Sequence, residues 1–178
     1  SSTTNSGING VGKWVAIDGD ASLTNGRGYR VFIRGDRTIS LTTVNSDNNA
    51  TTISVSGTHP TGTVTLPVTY TSGDGGLGWN LVGNPYPCSI DFTSGSGWTK
   101  TSIGTGVAVY RPSSNSYAYS ITSGDATNNV TVVTNGGSSI IGSGQAFWVR
   151  ATGSSPALTC TQAVKVTAAP PTVLLKSA

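Results

Sequence analysis

The feature that most narrows the fold of this chain is an alternation of apolar and polar residues at a period of two, in short runs that turn-forming residues interrupt. From Thr63 to Tyr70, Val64, Leu66, Val68 and Tyr70 fall on one side and Thr63, Thr65, Pro67 and Thr69 on the other, the pattern of a half-buried strand. Pro67 has no N–H to give to a ladder, which puts this strand at a sheet edge or at a bulge. Comparable runs cover residues 13–17, 29–34, 38–44, 51–56, 79–82, 107–111, 117–121, 130–133, 145–150 and 163–167. Turn signals separate nearly all of them, among them Asp18-Gly19, Asn25-Gly26, Gly73-Asp74-Gly75-Gly76 and Asn135-Gly136-Gly137. Many short strands at this spacing predict an all-β fold, an antiparallel two-sheet β-sandwich of jelly-roll or immunoglobulin-like type with little or no helix. The 24 glycines and the many Ser, Thr and Val residues agree, and the chain has no Met and no Glu.

With 178 residues the chain can bury one complete core. The division expected is a polar N-terminal segment over 1–11, a single sandwich domain over 12–167, and a C-terminal segment over 168–178 in which Ala168-Ala169-Pro170-Pro171 precedes a short apolar strand, Thr172, Val173, Leu174 and Leu175. That strand is a candidate for exchange with a neighbouring molecule. Only 10% of residues are charged and the net charge is +3, too dilute for a nucleic-acid surface. The longest apolar runs fall far short of the roughly 18 residues of a membrane span. The chain opens on Ser1 with no signal peptide, which suits a mature product whose upstream export signal has been removed.

The chemistry-bearing residues are few. Cys88 and Cys160 stand in loop-like surroundings and are expected to form a disulfide, with two buried free thiols as the other possibility. Residues 73–78 fit G-x-G-x-x-G, but a strand follows where a dinucleotide site needs a helix. His59 precedes Pro60 in a turn and has no G-x-S-x-G partner, and one His with two Cys makes a poor zinc site. Without Glu, the carboxylate pair of a glycosidase would have to come from aspartates that sit mostly in turns. Asp18 and Asp20 begin like a calcium loop, but Leu23 and Tyr29 occupy the positions that need Gly and Glu. The expectation is no enzyme, no cofactor and no metal, with Asp18 and Asp20 as weak calcium candidates.

Aromatic rings can stack on sugars. Tyr117 and Tyr119 alternate around Ala118, with Tyr110 on the preceding run, and Arg30, Phe32 and Arg34 share one side of another strand. Trp98, flanked by Gly97 and Thr99, is the most loop-like tryptophan. These residues are the candidate ligand or partner surface. Trp14, Trp79, Trp148 and Phe147 belong to alternating runs and read as core.

Three stretches carry a resemblance: Gly78-Trp79-Asn80-Leu81-Val82-Gly83-Asn84-Pro85-Tyr86-Pro87 with Ser89-Ile90-Asp91-Phe92, then Val107-Ala108-Val109-Tyr110, then Gly142-Ser143-Gly144-Gln145-Ala146-Phe147-Trp148-Val149-Arg150. Over about residues 60–167 the chain resembles the β-sandwich region of secreted and cell-surface Bacteroidota proteins that precedes a type IX secretion sorting domain. The resemblance implies export and a surface or extracellular location, brings no catalytic residues, and implies that the sorting signal after Ala178 was cleaved or left off. In physical terms Asn84-Pro85-Tyr86-Pro87 is a rigid turn in which one X-Pro bond can be cis, and the Asn80 and Asn84 amides can satisfy buried backbone groups.

The expected function is a non-catalytic structural or adhesive surface module that associates with copies of itself or with a larger surface protein. The alternative is a carbohydrate-binding module that holds polysaccharide on its aromatics.

Overall fold

The computed structural model describes residues 22–30, 56–70, 78–111, 116–120 and 133–170. In chain order the described strands are β1 (Val64–Leu66), β2 (Trp79–Gly83), β3 (Ile90–Asp91), β4 (Trp98–Thr101), β5 (Ile103–Arg111), β6 (Ser116–Ser120), β7 (Val133–Thr134), β8 (Ile140–Ile141), β9 (Ala146–Ala151) and β10 (Ala157–Cys160). They form an antiparallel two-sheet sandwich. One sheet runs β1-β10-β4, the other β2-β9-β5-β6-β7, and β3 with β8 makes a two-stranded ribbon. Among the described residues no helix is long and apolar enough to cross a membrane.

The core follows from the alternation. Val64 and Leu66 point inward from β1 while Thr65 stays exposed. They meet Leu158 and Cys160 of β10 and the inward residues Val82, Val107, Val109, Phe147 and Val149 of the larger sheet in a single cluster. Phe92 and Phe147 lie edge to face at 5.9 Å. β1 ends at Leu66, just before Pro67, and among the described residues it is the outer strand of its sheet, an arrangement compatible with the N–H that Pro67 lacks. Asn135 and Gly136 have φ of 55° and 68°, and Gly137 N–H closes on Thr134 O at 3.1 Å, so the Asn-Gly signal makes a primed turn.

Three expectations change. Residues 163–167 do not continue as a strand: Gln162–Val164 is a 3-10 turn capped by Thr161, because Val164 turns into the core and only Lys165 bridges to Ile90. Among the described residues every peptide bond is trans, including those before Pro85 and Pro87. Trp98 and Cys160, read as loop residues, lie in β4 and β10 and pair with each other in the ladder. The expected strands within 1–21 and 31–55 lie outside the described residues.

The larger sheet is buried on both faces near its middle. Trp148 and Ala108, which pair across β9 and β5, face away from Phe147 and Val149 yet are 5% and 0% exposed. Arg27 extends this sheet by bridging to Val82, with Gly28 N–H donating to Leu81 O at 3.3 Å and Gly83 N–H to Gly26 O at 3.0 Å.

Candidate functional site

The polar groups of the Gly78–Pro87 stretch act on backbone. Asn80, 5% exposed, behaves like a short strand edge: its Oδ1 accepts from Thr69 N–H at 2.8 Å, and its Nδ2 donates to Thr69 O at 2.9 Å and Gly78 O at 2.8 Å. Asn84 Nδ2 reaches the carbonyls of Cys88, Ile141 and Gly142, and its Oδ1 accepts from Tyr86 N–H. The first and third stretches of the motif therefore meet in space, since Gly142 opens the turn in which Asn84 N–H bonds Gln145 O. Both amides do what their sequence setting predicted.

Beyond this turn lies a cluster that the sequence did not reveal. Phe92 is fully buried, with the Trp98 ring edge-on at 5.1 Å. The Lys100 ammonium sits 3.7 Å from the centre of the Phe92 ring and donates to Phe92 O at 2.6 Å, while Trp98 Nε1 donates to Asp91 O at 2.8 Å. Trp98 is thus a half-buried strand residue, with its ring edge-on to Phe92 and its indole N–H bonded to main chain. Burial pulls Lys100 down to about 8, with Asp91 pulling the other way.

Between about pH 8 and 10.4 the unfolded chain keeps a Lys100 proton that the folded chain has lost, so stability contributed by this group rises with pH across that window. Discounted for the part of the side chain still in water, the gain is about 1 kcal/mol. Urea midpoints at pH 7.5 and 9.5 should therefore shift upward in the wild type relative to Lys100→Met. Parallel behaviour of the two proteins would reject this assignment. Tyr86, pushed up to about 12 chiefly by burial, acts in the opposite sense from about pH 10 upward in both proteins and cancels in the comparison.

The two thiols are free. The expected disulfide is not formed: Cys160 is an inward strand residue whose thiol reaches the Tyr86 hydroxyl at 4.0 Å, and Cys88, half-buried, packs against the same core cluster as a free thiol. Tyr86 in turn lies under His59, ring centres 5.8 Å apart, and under the Lys165 ammonium at 4.7 Å.

Of the candidate aromatic surface, the ladder pairs Tyr110 with Tyr117 and Ala108 with Tyr119, so these positions share the outer sheet face with Trp148, and with Trp79 opposite Arg150. Tyr110, Trp79 and Arg150 are half-buried there. Arg30 is exposed beyond the Arg27 bridge. Phe32, Arg34, Asp18, Asp20 and the segment Thr172, Val173, Leu174 and Leu175 lie outside the described residues. Among the described residues no group of three or more His, Cys, Asp or Glu could hold a metal ion.

A family model described as a domain of unknown function, DUF8693, matches residues 2–168. No curated protein and no solved structure matches the chain.

Proposed function

The chain belongs to the DUF8693 family, and we propose that it is a non-catalytic, extracellular or cell-surface β-sandwich module with a structural and adhesive role, associating with copies of itself. The observation that carries this reading is the use made of the polar side chains at the motif turn. Asn80, Asn84, Trp98 and Lys100 all bond main-chain atoms, so they hold the scaffold together and present little to a substrate. Among the described residues the larger sheet ends at β7, where Val133 is 59% exposed, and a strand end of this kind is where another strand can add. Export follows from the resemblance to the type IX secreted sandwiches.

A second reading, a polysaccharide-binding module, is favoured by one feature: Tyr110, Trp79 and Arg150 on a single sheet face, at the positions where rings and a guanidinium could meet a sugar chain.

The test is electron microscopy and light scattering of the purified chain with and without residues 168–178, a segment whose Pro170 lies against Gly142. Oligomers or filaments that disappear on truncation are the expected outcome. Monodisperse monomers in both samples would overturn the self-association reading in favour of glycan binding.

A further inference from the structure

The residues that cover Tyr86 have the build of a strap. Residues 56–59 and 61–63 are exposed and Pro60 is half-buried, so the segment makes no core of its own. It is fastened at two points. The Lys165 ammonium donates to His59 Nε2 at 2.9 Å, and Gln162 Nε2 donates to Thr61 O at 2.9 Å; Lys165 is itself steadied by Gln162 Oε1 at 3.0 Å. Both fasteners come from the 3-10 turn and the residue that caps its C-terminal end. Gly57 and Gly62 bracket the segment, and a Cβ built at either would meet nothing within 4 Å. Glycine at these places is not demanded by crowding, and what it adds is backbone freedom at the two ends.

Beneath the strap, Tyr86 is 2% exposed and Cys160 is 0% exposed, and the phenol caps the thiol. His59 and Lys165 lie over the ring of Tyr86, so they stand between solvent and the phenol–thiol pair. Segments with few buried contacts and solvent-exposed hydrogen bonds open at a free energy well below that of global unfolding.

We propose that residues 57–62 form a strap that opens without unfolding the sandwich, pivoting on Gly57 and Gly62, and that this opening gates the access of thiol-directed reagents to the Tyr86–Cys160 pair. The β1 ladder begins at Val64, immediately after the second pivot, so the sheet holds while the strap lifts.

The experiment is timed labelling of the full chain with dithionitrobenzoate, with Cys88 and Cys160 resolved by peptide mass. The Cys160 thiolate attacks the reagent disulfide, a protein–reagent S–S bond forms as the reagent S–S bond breaks, and one thionitrobenzoate leaves. The expected rate at Cys160 is independent of urea below the unfolding transition. With both fasteners removed, in His59→Ala/Gln162→Ala, it rises by about 5- to 20-fold. With the pivots stiffened, in Gly57→Ala/Gly62→Ala, it falls by about two- to fivefold. Thermal midpoints of both variants stay close to wild type, since all four substituted residues are exposed. Labelling that climbs with urea in step with global unfolding, or that is unchanged in both variants, would overturn the proposal.

Discussion

Replacing Asn84 by alanine is expected to remove about 3 to 5 kcal/mol of folding stability, because one side chain closes four backbone groups in two segments far apart in the chain. Its Nδ2 lies 2.8 Å from Cys88 O, 2.9 Å from Gly142 O and 3.2 Å from Ile141 O, and its Oδ1 accepts from Tyr86 N–H at 2.9 Å. An amide nitrogen carries two protons, so three carbonyls share them and no water need enter. Alanine leaves all four groups without that partner at the seam between the Asn84–Cys88 loop, β8 and the turn before β9. Aspartate is the sharper probe, since it keeps the shape and the acceptor for Tyr86 N–H but turns a carboxylate oxygen towards three carbonyls. At neutral pH Asn84→Asp should cost at least as much as Asn84→Ala. Part of that loss should return as the pH falls and the carboxyl protonates. Urea unfolding of the three proteins measures this; a loss under about 1 kcal/mol in the alanine variant would mean that water replaces the amide freely.

What the sequence disclosed depended on how local each signal was. β2 and β9 are long enough to show their period, and Asn80 and Asn84 sit among Gly and Pro where an amide has backbone groups to serve. β3 and β8 have two residues each, too few for any period, and exist because Ile90 meets Ile141, 51 residues further along the chain. β4 was hidden for a different reason. Its second inward-leaning residue is Lys100, so the alternation reads as polar until the Phe92 ring is in place beneath the ammonium. The same ignorance of partners produced the disulfide expectation: Cys160 between Thr159 and Thr161 looks like a loop, and only pairing with Val64 and Trp98 shows it as a strand residue in the core. Residues 163–167 carry a passable alternation, but a period without a continuing ladder does not make a strand, and the Thr161 cap turns the chain instead.

Gly78→Ala is the second substitution expected to be severe, at about 3 to 4 kcal/mol. Two costs combine there. Gly78 has φ of 74°, a left-handed conformation that any L side chain resists, and a Cβ at this position would lie against Ala151 O, well inside van der Waals contact. The neighbour is backbone at the end of β9 and cannot swing away as a side chain could. It is fixed there because Ala151 N–H donates to Gly78 O at 2.7 Å, the same oxygen that accepts from Asn80 Nδ2 at 2.8 Å. Moving Gly78 to relieve the contact therefore loosens the ladder at Trp79 and Arg150 and the amide bonds that tie Thr69 to β2. Gly144 separates the two costs. Its φ of 69° is equally left-handed, but a Cβ there would have nothing within 4 Å, so Gly144→Ala should lose only the conformational part, about 1 to 2 kcal/mol. Equal losses for the two variants in urea unfolding would show that backbone conformation alone sets the cost at Gly78. A difference of about 2 kcal/mol would assign the remainder to the close approach of β9 that glycine permits.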